Sequence, residues 1–264
     1  MSSNAASAMG ADFFAGQPQQ FTPKILFTAQ APALSQVIAQ PYYINAAFAS
    51  PSANNPTANS NMAFVFEGGP PIPNGVAAFG SGVCSGTQTN GNVTATPAGN
   101  PFYSEDYVMA FSVGPSVTSK AGVTTYPNLA ASAYIPGGVG SGEPIQYWGS
   151  GLDFTPGGVN TTSIQWTYTL VPGTNPPANN AFIGLWNGLV NNNPYATSPQ
   201  FTAPILNQNQ YTGSSIMNGL GLSVGSQYTA ALFTSGYPLT VGAAPLTCIA
   251  AWIQFTLLAP SSEN

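Results

Sequence analysis

Seven carboxylates and two lysines carry all the formal charge of this chain, and histidine and arginine are absent. The charged residues are Asp12, Lys24, Glu67, Glu105, Asp106, Lys120, Glu143, Asp153 and Glu263. Two carboxylates on either side of a glycosidic bond are the machinery of glycoside hydrolysis. Glu105 and Asp106 are adjacent at the start of a strand pattern, where successive side chains face opposite sides. They therefore make no acid/base pair alone and would need Asp153 or Glu143 from elsewhere in the fold. Solvated loop charges, or a weak calcium site, are the favoured reading of all four.

The other routes to catalysis fail on residue type. Without histidine there is neither a Ser-His-Asp nor a Cys-His nucleophile. "GSGVCSG" around Cys84 imitates a nucleophile elbow but lacks a base and a strand–turn–helix setting. A Ser–Lys dyad would fall in "SVTSK", with Ser116 or Ser119 beside Lys120 in a loop, where the lysine is solvated and inactive as a base. "GGVGSGEP" lacks the lysine of a phosphate loop. Cys84 and Cys248 have no neighbouring C-x-x-C or histidine to complete a metal set. No catalytic residue, metal site or cofactor is expected. The two cysteines are expected as free, small hydrophobes, with a Cys84–Cys248 disulfide as the alternative.

Binding residues remain. Trp166 and Trp252 fall within alternating apolar faces and read as core. Trp148 and Tyr147 in "IQYWGSG", and Trp186 in "GLWNG", stand beside turns and are the candidates for stacking a sugar in a lectin-like site, or equally for subunit contacts, where aromatics are enriched. Asn92 in "NVT" and Asn160 in "NTT" fit the N-glycosylation acceptor pattern.

The elements that hold these residues read as strands. "SIQWTYTLV" (163–171) puts Ile164, Trp166, Tyr168 and Leu170 on one face, and "NMAFVFEG", "EDYVMAFSV" and "SQYTAALFT" alternate in the same way. Weaker strand patterns lie at 25–29, 36–48, 75–79, 121–126, 131–135, 145–149, 181–186 and 214–224. The 29 glycines and 25 prolines gather in the connections, "GTQTNGNVTATPAGNP" and "IPGGVGSGEP" among them, which is turn chemistry between strands. Helical periodicity is nearly missing, apart from a short segment at Asn4–Phe14. No repeat of fixed period marks a propeller or solenoid. The pattern predicts an all-β fold, an antiparallel β-sandwich of jelly-roll type with long Pro/Gly-rich loops. Residues 1–22 would form an N-terminal arm, 23–260 a single domain and 261–264 a tail. The runner-up is two small sandwiches divided near 174–180.

The uncharged run Leu239–Ala259 is long enough to span a bilayer. Pro245, Thr247, Gln254 and Thr256 interrupt it, and Ile249, Ala251, Ile253, Phe255 and Leu257 alternate with Cys248, Ala250, Trp252 and Gln254. It reads as a wall strand buried on both faces, by its own sheet or by a neighbouring subunit.

Composition narrows the partners. Charged residues are 3% of the chain, against about 25% in ordinary globular domains. Two lysines cannot neutralise the phosphates that nucleic-acid binding requires. The first residues, "MSSNAASAMGADFF", contain neither a basic n-region nor an apolar core, so no secretory signal is expected there. With so few titrating groups the fold should tolerate acid. The expectation is a non-enzymatic structural subunit of a virion or other extracellular assembly: an outer capsid, turret, spike-base or decoration protein. It would associate with itself, preferentially as a trimer, and with other coat or surface proteins. The alternatives are a lectin or adhesin module binding surface glycans, and third a glycoside hydrolase using the acidic residues.

Overall fold

A computed structural model of the chain describes residues 23–25, 30–73, 75–118, 124–190, 193–206, 210–238 and 247–258. In chain order the strands are β1 (Pro23–Ile25), β2 (Ala33–Gln40), β3 (Tyr43–Ala49), β4 (Met62–Glu67), β5 (Gly80–Val83), β6 (Asn90–Pro97), β7 (Tyr107–Ser112), β8 (Val117–Thr118) and β9 (Thr124–Thr125). They continue with β10 (Leu129–Ile135), β11 (Gln146–Gly149), β12 (Gly151–Val159), β13 (Ser163–Thr169), β14 (Phe182–Asn187), β15 (Phe201–Pro204), β16 (Thr212–Asn218), β17 (Gln227–Phe233) and β18 (Ile249–Leu257). There is no helix among the described residues, so none is long and apolar enough to cross a membrane. All strand pairings are antiparallel.

An eight-stranded sheet runs β11-β10-β7-β4-β5-β6-β3-β2, a five-stranded sheet β1-β18-β17-β14-β15, a three-stranded sheet β12-β13-β16, and β8-β9 form a small ribbon. The eight-stranded sheet curls until β2 lies beside β10 and β11. A Cβ added to Gly149 on β11 would sit 3.1 Å from Pro32 O, just ahead of β2. The sheet is thus a nearly closed barrel. Its inner side and the inner faces of the other sheets share one apolar core, in which Ile44, Val65, Phe111, Trp166, Leu185 and Phe255 are buried.

Strand for strand, the second part of the chain repeats the first. β2-β3-β6 and β12-β13-β16 have the same order, as do β10-β7-β4-β5 and β18-β17-β14-β15. Glu67 pairs with Tyr107 as Asn187 pairs with Tyr228. Phe48 faces Gly91 as Tyr168 faces Gly213. Opposite β7 and β17 the same bulge leaves one alanine extra, Ala130 and Ala250. The loops agree as well. Before β4, Asn61 N donates to Pro56 O at 2.8 Å; before β14, Ala181 N donates to Pro176 O at 2.9 Å. In both loops a non-glycine residue adopts the left-handed conformation, Ser60 at φ 55° and Asn180 at φ 56°.

Each half gives its leading strand to the other. β11 leads into the second half but pairs with β10 of the first. Gln30 and β1 lead into the first half but pair with β18 of the second, the Gln30–Trp252 bridge holding through two 3.0 Å backbone hydrogen bonds.

The halves differ at one seam. β5 bonds both β4 and β6, whereas β15 bonds β14 alone. Gly80 and Gly82 explain the close approach: a Cβ there would lie 2.7 Å from Thr96 O and 2.1 Å from Thr94 O. Registers against β4 and β14 put Phe201 and Ala203 at the matching places, so the second seam carries side chains where the first has none.

Several sequence expectations need correction. The 36–48 pattern is two strands, β2 and β3, turning at Pro41–Tyr42. The segment 75–79 holds no strand among its described residues; β5 follows it. "GTQTNGNVTATPAGNP", read as a connection, contains β6, whose Gly91 is covered by the Phe48 ring at 3.2 Å from a built Cβ. The second face of the C-terminal strand is covered by the chain itself and no subunit is needed for it: Ile249 and Trp252 pack with Phe182, Trp186 and Tyr195. The arm at 1–22, the helical segment Asn4–Phe14 and the tail at 261–264 lie outside the described residues.

Candidate functional site

One end of the first half carries three exposed tyrosines. The turn between β2 and β3 presents Tyr42, and β3 begins with Tyr43; these are 73% and 42% exposed, and Tyr103 before β7 is 54% exposed. Phe102 joins the two segments, because its N–H donates to Pro41 O at 2.8 Å. Its ring is buried edge-on against Tyr107 at 5.3 Å between centroids.

The backbone of Tyr103 is held on both sides. Its N–H donates to the Tyr107 hydroxyl at 2.9 Å, and its carbonyl accepts from Val139 N at 2.9 Å. Val139 can come this close because Gly138 precedes it. Gly138 has φ 59°, and a Cβ there would lie 2.4 Å from Tyr103 O and 2.3 Å from Glu105 O. Burial pushes the Tyr107 phenol above its ordinary range.

Asp106 secures the same end. One carboxylate oxygen accepts from Gly137 N at 2.7 Å and the other from the Tyr134 hydroxyl at 2.8 Å. Its carbonyl accepts from Gly68 N at 2.7 Å. These donors, Gly137 first and then Tyr134, hold its carboxyl below the usual range, and the bond to Asp106 pushes the Tyr134 phenol up. Asp106 therefore works as a tie between loops. Glu67 and Glu105 are exposed nearby, and both act electrostatically on the Tyr107 phenol.

The other acidic candidates lie elsewhere. Glu143 is exposed in the β10–β11 hairpin, its N–H donating to Ser141 Oγ at 3.3 Å. Asp153 is exposed on β12 and accepts from the following N–H, that of Phe154, at 2.7 Å. No three acidic or cysteine side chains among the described residues could hold a metal. Ser119 and Lys120 lie outside the described residues.

Trp186 cannot stack a ligand. It is 1% exposed on the outer side of β14, with its indole Nε1 donating to Thr197 O at 2.9 Å. Its adjacency to the "NG" turn suggested exposure, but the loop after β14 folds back over it. Tyr147 is 46% exposed and Trp148 half-buried on β11, an edge strand, so these two remain accessible in part. Asn92 is exposed on β6. Asn160 is half-buried, and its side chain is engaged in the β12–β13 turn: Oδ1 accepts from Thr162 and Ser163 N–H at 2.8 Å each, and Nδ2 donates to Ser163 Oγ at 2.8 Å. Cys84 and Cys248 are free thiols. Burial pushes Cys84 up to about 12 and raises Cys248 as well.

Two open grooves accompany these residues. One, of about 570 Å³, lies where the halves meet, between Ile72 and Pro73 on one side and Gly173, Thr174 and Tyr211 on the other. The second, of about 490 Å³, opens beside Tyr228 with Asn187, Ser223 and Gln227. Tyr228 is the counterpart of Tyr107, and its hydroxyl accepts from Ser223 N at 2.8 Å. That end of the second half is neutral and polar, where the first half has tyrosines and carboxylates. Sequence reasoning missed the tyrosine cluster because Tyr42–Tyr43 and Tyr103 are far apart in the chain; the "PYY" turn was the available signal.

No family model matches this chain, and no curated protein matches it significantly.

Proposed function

We propose that this protein is a non-enzymatic structural subunit of a virion or other extracellular assembly, associating with itself through uncharged surfaces. The observation that supports this most is the mutual gift of strands. β11 adds to β10 and the Gln30–β1 segment adds to β18, so two copies of one design already bind each other within a chain. The contact uses backbone ladders and neutral side chains, the means left to a surface with almost no ion pairs. Asp106 is occupied in joining loops, which favours a structural over a hydrolytic reading.

In finer detail, we infer two seven-stranded β-sandwiches. The order β2-β3-β6 against β10-β7-β4-β5 supports the immunoglobulin-like arrangement over the jelly roll expected from sequence. A tyrosine at the start of the sixth strand, bonded to backbone a few residues upstream, supports it in both halves. The division into units then falls between β10 and β12 rather than near 174–180. A closed trimer, an outer or accessory position in a particle and contacts with other coat proteins complete the proposal.

Electron microscopy of the purified chain at rising concentration, with mass spectrometry of particles from its source, tests this reading. Regular closed assemblies, and a stoichiometric place in particles, are expected. A chain that stays a monomer at all concentrations and is missing from particles would overturn it.

A further inference from the structure

We propose that the tyrosine-lined end of the first half, formed by Tyr42, Tyr43 and Tyr103 beside Glu105, binds neutral glycans. Tyr42, Tyr43 and Tyr103 are 73%, 42% and 54% exposed, yet the segment carrying Tyr103 is fixed by hydrogen bonds from Phe102 to Pro41, from Tyr103 to the Tyr107 hydroxyl and from Val139 to Tyr103. A backbone held in place before binding loses little entropy when a ligand settles on the rings it carries. A tyrosine offers an apolar face and a polar tip together, which matches a pyranose ring with its C–H face and its rim of hydroxyls.

Charge selects among ligands. Glu67 and Glu105 are exposed at this end, and no cation stands among the described side chains. Sulfated or sialylated chains would meet like charge, which is a strong ground for rejection. Sugar hydroxyls, by contrast, can donate to the Glu105 carboxylate. Size points the same way. The surface is one turn and one loop bordered by carboxylates, whereas a stable protein interface needs about 800 Å² per partner and a core depleted of Asp and Glu. A ligand of one to three sugar rings fits such a patch. The proposal is independent of the structural role, since a coat subunit and a free-standing module could both carry it.

The test uses the full-length protein and saturation-transfer NMR with chitotriose, mannotriose and lactose, with heparin as the anionic probe. At least one neutral oligosaccharide should bind, with Kd between about 10 µM and about 1 mM. Tyr103→Ala should weaken it at least about tenfold, a change of about 1.4 kcal/mol, while Tyr103→Phe, which keeps the ring, stays within about threefold. The exposed Tyr103 side chain can be shortened without loss of fold, so the melting temperature and the oligomeric mass should be unchanged. Binding of no neutral sugar, binding of heparin alone, or equal binding by Tyr103→Ala would overturn the proposal. A change of oligomeric mass in Tyr103→Ala would overturn it as well, and would assign the patch to a second copy of the chain.

Discussion

The side-chain carbonyl of Asn128 accepts a hydrogen bond from the Thr234 hydroxyl at 3.1 Å, across 106 residues of chain. Ser235 Oγ donates to the same oxygen at 2.7 Å, and Asn128 Nδ2 donates to Pro115 O at 2.9 Å. Asn128 stands before the last strand of the first half; Thr234 and Ser235 follow β17 of the second. A single buried amide thus ties the two halves together. Its removal would leave the Ser235 hydroxyl and the Pro115 carbonyl without this partner, while the Thr234 hydroxyl keeps Cys248 O at 3.2 Å.

Asn128→Ala should therefore destabilise by about 1–3 kcal/mol, the penalty for stranding buried polar groups. For a domain of this size that lowers the melting temperature by about 2–4 °C per kcal/mol. Differential scanning calorimetry checks it, and no change would mean that this amide adds nothing to the strand pairing and the shared core that join the halves.

Much of the wall was legible in the sequence. The alternation of β13, β4, β7 and β17 is strong because each buries large residues on the core side: Ile164, Trp166 and Tyr168 in β13 are almost fully buried. β5 and β6 were not legible, since Gly80, Gly82 and Gly91 contribute no hydrophobicity and are chosen for close approach. The internal repetition was hidden for a related reason. It lives in registers and turns, while matched positions differ in type, as with Ala46 and Trp166 or Asn61 and Ala181. Both faces of β18 were read as buried; that the chain covers the outer one with Tyr195 and Tyr237 depends on long-range folding. Of the candidate site, the carboxylates were found, but their use as loop ties was not.

Gly82→Ala should open the β5–β6 seam. The added methyl would meet Thr94 O at 2.1 Å, so the strands must part. Overpacking of this kind costs about 1–3 kcal/mol. Hydrogen exchange should speed up in β5 and β6 while β15, which carries Ala203 already, and β16 keep their rates. Unchanged exchange in β5 would contradict the explanation for the seam.

Asp106 contributes to the pH response. Its folded pKa is lowered by Gly137 and Tyr134, so its contribution is complete above the unfolded value near 4. It is lost as pH falls through the lower folded value. The melting temperature should stay nearly level from pH 7 to about pH 4 and decline below that. Asp106→Asn should melt lower near neutrality and converge on the parent protein in acid. Parallel curves over the whole range would show that Asp106 has no proton-linked role.

The thiols predict silence toward redox agents. With Cys84 buried, raised to about 12 and unbonded, reductant should leave the melting temperature unchanged. Cys84 should react with a thiol reagent only at the rate of unfolding, measured by mass spectrometry of the alkylated chain. A mass two hydrogens short under non-reducing conditions would contradict this.

The account as a whole depends on neutral self-association. Exposed Leu206, Ile216 and Val83 lie on a surface with few charges, which leaves little charge repulsion between copies that approach one another. Ion pairs weaken as screening shortens from about 10 Å at 0.1 M salt to about 3 Å at 1 M, while apolar contacts do not. The decisive measurement is the mass of the full-length protein by multi-angle light scattering at those two salt concentrations. The same closed oligomer, a trimer, is predicted in both; a monomer in both, or an oligomer that dissociates in the higher salt, would contradict the account.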